Sequence, residues 1–396
     1  MANTLSVIDM VTREALRIAH EKLTFIGTID RSYDDSYANS GAKIGDTLRV
    51  RNPNQYTRRT GSRVMDVQDQ AETTQNVTVA TQDGVDMKFN SAELSLSIDE
   101  LSKRYIDPAM SVLVSGIEGD VLTAVTKDVY NETGTHGTVV GASADISAIT
   151  GARAKLNQGL APKDGNRCVQ FDSVTMGTIV NGTQGLFHDG TQIAKGFREG
   201  YIGRNAMADF YENEKTLAFT TGTDHTTVDI DGAVSSGDSS LTLAGGVLTV
   251  GQVITIADVK AVHPETKTSY SHDQQFVITG ITTASTVYTI SPSIISTGAK
   301  QNVDHLPSLN DVVTCLGTAS TAYQKNLMYH RDAFTFVTAD LPLMDDAAKC
   351  VRKTQDGLSV RCWQGSDIRN DELLLRLDIL YGWKTLRPEW ACRITN

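Results

Sequence analysis

The feature that most constrains this chain is a gap: no arginine occurs between Arg204 and Arg331. Within the gap, residues 221–300 are rich in Thr, Ser, Val, Ile and Gly and poor in charge. Turn-forming residues bound the stretch, with Thr221-Gly222-Thr223 at one end and Thr297-Gly298 near the other. Short alternating runs recur inside it: Thr227–Ile230, Leu241–Leu243, Gln252–Ile256 and Thr286–Ile290. Alternation with a period of two, punctuated by Gly and Ser, predicts half-buried strands joined by short turns. Several such strands in close succession predict a small barrel or sandwich. The stretch therefore reads as a β module inserted into a different host, with one long polar loop at Ala261–Asp273.

The host reads as mixed. Residues 5–23 carry Val7, Met10, Val11, Ala15, Leu16, Ile18 and Ala19 with charges between them, an amphipathic helix with Ser6 as N-cap. A longer helix is predicted from Asp107 to about Asn131, with Pro108 at a first-turn position and Thr133-Gly134 ending it. Leu113, Ile117, Val121, Ala124, Val125 and Val129 line one stripe of it. Gly116 and Gly119 weaken it by about 1 kcal/mol each relative to Ala, so packing is expected to compensate. Between the helices, 41–90 alternates at Thr47–Val50, Val77–Val79 and Met87–Phe89 around a polar centre, which predicts a long, projecting two-stranded loop. Near the carboxyl end, 371–383 predicts a buried strand, and Trp363, Trp383 and Trp390 read as core or interface aromatics.

Composition excludes several classes. The 396 residues predict two or three domains at about 100–200 residues each. A hydrophobic content of 40 % excludes wholesale disorder. Uninterrupted apolar runs such as Leu373–Leu375 fall short of the ~18 residues that span a bilayer. Asp9, Arg13, Glu14 and Arg17 interrupt any export signal. Thirty-six basic against 47 acidic residues leave −11, a poor balance for gripping nucleic acid or anionic lipid. Cys168, Cys315, Cys350, Cys362 and Cys392 show no metal or disulfide spacing and read as reduced structural thiols.

Catalytic motifs fail on their context. His330-Arg331-Asp332 spells a kinase triplet without the other kinase elements. Asp229-x-Asp231-Gly232 lacks the bidentate acid of a calcium loop. The eight histidines are dispersed, so no metal and no cofactor is expected. A β-rich enzyme or carbohydrate-binding module would have Asp371 and Glu372 as its paired acids, but adjacent strand residues point to opposite faces.

The clearest charge feature is Arg49, Arg51, Arg58, Arg59 and Arg63, with no acid between Asp46 and Asp66. Three readings are open. The cluster can bind nucleic acid, remain a solvated face, or pair with acids on another copy of the chain, such as Asp30, Asp34 and Asp35. Only Tyr56 supplies the interleaved aromatics of a single-strand binder.

Several segments in order resemble a known family. They are Gly45–Val50, Phe197–Arg204 followed by Ala208-Asp209-Phe210, Val250–Ile256, Phe276–Ile278, Asp332-Ala333-Phe334, Tyr381-Gly382 and Leu386–Glu389. Together they resemble the coat proteins of the Salmonella phage P-22 family, tailed-phage major capsid proteins of the Hong Kong 97 fold with an inserted β-barrel domain. The resemblance implies an α+β chain divided into an N-terminal arm (1–40), an extended loop (41–90) and a peripheral domain with spine helix (91–140). An axial domain (141–220), the inserted barrel (221–320) and a return segment (321–396) would follow. It implies a non-enzymatic protein that assembles as pentamers and hexamers into an icosahedral head, with scaffolding protein and portal as partners. Packaged double-stranded DNA would be held weakly and no membrane contacted. The location would be the virion capsid, after synthesis in the bacterial cytoplasm. The arginine loop would lie across a neighbour, and the polar loop, through His263, Glu265, Lys267 and Asp273, would contact adjacent capsomers.

Overall fold

The computed structural model describes residues 11–19, 23–31, 47–59, 61, 65, 67, 73–90, 105–142, 145–183, 204–283, 286–343, 349–355, 358–367 and 372–396. Contacts divide the chain into two units, each discontinuous in sequence. The first comprises Met1–Val50, Thr74–Val121 and Phe334–Lys384; the second comprises Arg51–Thr73, Leu122–Ala333 and Thr385–Asn396.

The first unit is built on the strand Glu372–Thr385, which the sequence predicts at 371–383. Leu375, Leu377, Ile379 and Tyr381 line one face and are buried; on the other face Leu374 and Arg376 are exposed, and Asp378 and Leu380 are buried as well. The strand lies in a five-stranded sheet with Thr81–Asn90, Phe334–Ala339, Leu358–Asp367 and Lys349–Gln355. Tyr381-Gly382, one of the resemblance motifs, has a packing reason. The Tyr381 hydroxyl donates to Asp83 at 2.7 Å. A Cβ at Gly382 would come within 3.0 Å of the Val79 Cα and closer still to the Thr78 carbonyl.

Among the described residues, the two-stranded pairing within 41–90 is shorter than the alternation suggests. Thr47–Arg51 pairs with Thr74–Thr78, and Asn52 N–H continues the pairing to Thr73 O at 2.9 Å. Met87–Phe89, assigned to this loop from sequence, belongs instead to Thr81–Asn90, antiparallel to Glu372–Tyr381. A period of two marks a strand but not its partner.

The first helix is described over 11–19, with Val11, Ala15, Leu16, Ile18 and Ala19 buried. The chain after it is held by Glu118, whose buried carboxylate accepts Thr24 N–H at 3.1 Å and Phe25 N–H at 2.8 Å. The long helix runs Asp107–Asp128, ending before the predicted Asn131. It is long and apolar enough to cross a membrane by length and composition, a point missed by counting uninterrupted runs; 56 % of that window is buried inside the protein. Met110, Leu113, Val114, Ile117, Val121 and Val125 are its buried face.

Among the described residues, packing does not compensate for the helix glycines as expected: a Cβ at Gly116 or Gly119 would meet none of them within 4 Å. Gly116→Ala and Gly119→Ala should therefore each stabilise the isolated subunit by up to about 1 kcal/mol, read from the shift in its urea midpoint.

The second unit holds two sheets. Seven strands form the first: in order Glu132–Thr133, Ala391–Thr395, Ala322–His330, Arg167–Phe171, Ala208–Glu212 and Arg204–Asn205, with Leu217–Thr220 also on Ala322–His330. Helices Ser147–Gln158 and Ser173–Thr183 cover it through Ile149, Ala152, Leu156, Met176 and Ile179. The second sheet has six strands: Val313–Cys315, Val253–Val262, Ser269–Thr283, Val287–Ser291, Ser240–Ala244 and Asp229–Ile230. It has its own core, in which Leu241/Leu243, Ile254/Ile256 and Phe276/Ile278 repeat the predicted alternation. Its two edges meet. Asp229 bridges Val312, Ile230 N–H reaches Asp311 O at 3.0 Å, and Val313 N–H reaches Val228 O at 2.8 Å. The long polar loop at Ala261–Asp273 is largely a hairpin, because the strands run to Val262 and resume at Ser269.

Candidate functional site

In the second unit, a cluster of hydrogen bonds and ion pairs joins the six-stranded sheet to the seven-stranded one. Glu132 N–H donates to Gln275 Oε1 at 3.0 Å, and Gln275 Nε2 returns a bond to Glu132 O at 3.0 Å. This reciprocal pair ties a host strand to the long Ser269–Thr283 strand. Behind it, Lys325 Nζ lies 2.5 Å from Glu132 Oε1 and donates to Thr395 Oγ1 at 2.9 Å. His136 Nε2 lies 2.8 Å from the same carboxylate. Arg393 is fully buried; its Nη1 donates to Gly251 O at 2.5 Å and its Nη2 to Lys127 O at 2.9 Å. One guanidinium thus joins the end of the long helix, the host sheet and the Gly251 turn. This fork of donors is geometry that Lys cannot reproduce.

Burial disfavours the Glu132 carboxylate, but the His136 hydrogen bond and the Lys325 and Arg393 charges outweigh it and hold its pKa at about 2, against an ordinary 4.5. Burial lowers both the Lys325 and Arg393 pKa values, the latter to about 10. Since the folded Glu132 value is depressed, its stabilisation is complete above the unfolded value near 4.5 and is lost as pH falls toward about 2. Acid titration of the subunit should show a loss of stability in that window, and Glu132→Gln should flatten it.

The first unit carries a second buried ion cluster. Asp378, with no exposed surface, accepts from Arg361 Nη2 at 2.6 Å and from Arg376 Nε at 2.7 Å. Arg361 Nη1 also donates to Pro342 O at 3.0 Å. Sequence reasoning missed both clusters. Their only trace in the sequence is a single Lys or Arg within a strand, Lys325 in Ala322–His330, Arg393 in Ala391–Thr395 and Arg361 in Leu358–Asp367, which does not by itself tell a buried ion from an exposed one.

The residues expected at subunit contacts fall into three groups. Arg49 and Arg51 are exposed on the first strand of the loop, and Arg58 and Arg59 are exposed beyond it. Tyr56, Met65 and Val67 stand exposed in the same segment, the last two at 82 % and 79 %. Arg63, Asp34 and Asp35 lie outside the described residues, as does Asp371, a candidate acid of the alternative enzyme reading. Asp30 is half-buried, and its backbone bridges Thr335: Asp30 N–H donates to Phe334 O at 3.2 Å, and Phe336 N–H to Asp30 O at 3.1 Å.

In the hairpin, His263 Nδ1 accepts Glu265 N–H at 3.1 Å and shapes the turn. Lys267 Nζ donates to Ala299 O at 2.6 Å, and Asp273 pairs with Lys260 at 2.6 Å. Glu265 is exposed at the tip. Among the described residues, no three or more His, Cys, Asp or Glu side chains converge as a metal site would require.

The family model described as P22 coat protein - gene protein 5 matches residues 1–393. No curated protein matches the chain. Similar solved structures include Mycobacterium phage Che8, at 11 % identity and TM-score 0.49, covering 94 % of this chain and 90 % of that one. A virus-like particle from Pyrococcus furiosus is similar at 7 % identity and TM-score 0.43, covering 98 % of each chain. The CUS-3 coat protein I-domain is similar at 26 % identity and TM-score 0.19, covering 26 % of this chain and 98 % of that one. With the family model spanning residues 1–393 of 396, the chain belongs to the P22 coat protein family: it is a tailed-phage major capsid protein, and it forms the icosahedral shell of the virion.

Proposed function

We propose that the subunit assembles by laying its loop across a neighbouring copy, with Arg49, Arg51, Arg58, Arg59 and Arg63 meeting that copy's acids. The observation that carries this reading is the exposure of Arg58, Arg59, Tyr56, Met65 and Val67 in one segment beyond a two-stranded pair. A lone two-stranded pair is marginally stable, and apolar side chains so exposed call for a partner surface. A net charge of −11 makes acidic surface abundant on the next copy. Asp30, Asp34 and Asp35 are its proposed acids. His263, Glu265, Lys267 and Asp273 form a second proposed contact, with Glu265 reaching outward and the others holding the hairpin in shape.

In this reading the division into arm (1–40), loop (41–90), peripheral domain (91–140), axial domain (141–220), inserted β barrel (221–320) and return segment (321–396) describes the working parts. The meeting of the six-stranded sheet's edges supports the barrel. Subunits made in the host cytoplasm would form pentamers and hexamers with a scaffolding protein and a portal. The shell would hold double-stranded DNA by weak, non-specific contact, and the subunit would act without catalysis.

Arg58→Ala with Arg59→Ala tests the loop. Electron microscopy should show a loss of closed shells, while the melting of the isolated subunit changes by no more than about 0.5 kcal/mol. Normal shell yield from the double variant would overturn the loop contact, and subunits that never form shells with scaffold present would overturn the assembly reading.

A further inference from the structure

The chain enters the six-stranded module through 221–225 and leaves it through 317–321, and these two segments are zipped together. Thr221 N–H donates to Thr321 O at 3.1 Å, and Ser320 N–H to Gly222 O at 2.8 Å. Side chains reinforce the zip: Thr221 Oγ1 donates to Thr318 O at 2.5 Å and accepts Thr321 N–H at 3.1 Å, and a longer relay runs through Gln252 and His225. Gly222 N–H donates to Gln252 Oε1 at 3.0 Å, and Thr249 N–H reaches the same oxygen at 3.4 Å. Backbone N–H groups can only donate, so the Gln252 amide is fixed with its oxygen toward them. Its Nε2 must then donate, and what it meets at 2.7 Å is His225 Nε2. That nitrogen has to be the unprotonated one. The ring proton sits on Nδ1, which donates to Gly317 O at 3.1 Å. Every hydrogen in the relay is assigned by its neighbours. Gln252 is 1 % exposed, so water does not substitute for a broken link there.

We propose that His225 and Gln252 form a proton-released latch on the neck of the module, closed while the His225 ring is neutral and opened when it is protonated. A second ring proton would place an N–H against the Gln252 N–H at a distance that suits a hydrogen bond and not two donors. The relay would break at its middle, uncoupling Gln252 and Gly222 from His225 and Gly317 and leaving the neck to the bonds that Thr221 makes with Thr318 and Thr321 and Gly222 with Ser320. The charged and titratable groups around the ring are few. Asp224 precedes it, with its carboxylate occupied by Thr226 N–H at 2.8 Å. Across the neck, His136 and Tyr323 pack against Gly317, and Glu132 and Lys325 stand behind His136. The proposal rests on the reading of 221–320 as an inserted module, and it makes the module's attachment to the shell responsive to acid.

Hydrogen exchange by mass spectrometry on assembled full-length shells tests it. Protection of peptides covering 221–226 and 315–321 should fall at least tenfold as pH drops from about 7.5 to about 5.5. His225→Asn should remove that dependence. Gln252→Glu should reverse it, since a carboxylate accepts from both Gly222 N–H and a protonated His225. His136→Gln should leave the wild-type response in place. Constant protection across the range in the wild type, an unchanged response in His225→Asn, or loss of the response in His136→Gln would each overturn the latch. Electron microscopy of the same samples reports assembly separately, so a failed latch and a failed shell reading are told apart.

Discussion

Lys325→Met should cost the folded subunit roughly 3–5 kcal/mol. The lysine is 2 % exposed and so is its partner Glu132, so neither charge has water to fall back on. Removing the ammonium leaves a buried carboxylate with His136 and the more distant Arg393 charge. Unfolding of purified subunit in urea reads the loss. The sharper measurement is the double variant Glu132→Gln with Lys325→Met. With the carboxylate and the ammonium both removed, and Asp128 still a charge partner for Arg393, it should recover part of the deficit, because a buried pair is expensive mainly when half of it is missing. A single-variant loss below about 1 kcal/mol would show that the pair behaves like a surface ion pair, at odds with its burial. The effect should also reach the module. Glu132 holds Gln275 through its backbone, so a host strand that loosens in Lys325→Met should expose the Ser269–Thr283 strand to exchange before the rest of its sheet.

The strands were more legible in the sequence than their partners. Leu241–Leu243, Gln252–Ile256 and Thr286–Ile290 stand where alternation placed them, because each buries one face in a core made by the module itself. Met87–Phe89 alternates just as clearly, yet it pairs with residues nearly 300 positions later in the chain, and local pattern contains nothing about that choice. The loop at Ala261–Asp273 was overestimated because Ser269–Asp273 is polar on both faces; half-buried positions such as His272 and Asp273 continue the strand without an apolar signature. The arginine cluster was legible as a charge pattern, since solvent exposure demands little else of Arg58 and Arg59. The buried ions were not. A lone Lys or Arg in a strand has the same letter whether it faces water or a carboxylate, and only the fold brings Glu132 to Lys325 across 193 positions.

Asp378→Ala should match or exceed the Lys325 effect, at roughly 3–5 kcal/mol, because it orphans a buried arginine. Arg361 is 5 % exposed, and its Nε is already buried without a partner among the described residues. Take away Asp378 and its remaining bond is to Pro342 O. Asp378→Asn keeps one acceptor and should cost less, about 1.5–3 kcal/mol. Arg376→Ala should cost no more than about 1 kcal/mol, since that side chain is 46 % exposed. The order of these three losses follows from exposure and charge alone, and a flat series would contradict it. The cluster also accounts for Gly84 on the neighbouring strand. A Cβ there would lie 2.8 Å from Leu377 O and closer still to the Asp378 carboxylate, so Gly84→Ala should displace the carboxylate from Arg361. Pairing Asp378→Leu with Arg361→Leu then separates stability from specificity. Apolar replacement of a buried ion pair is often neutral or stabilising. A double variant that melts like wild type but forms fewer closed shells would assign the ions to holding the register Gly84↔Asp378↔Arg361, on which the outer face of this sheet depends.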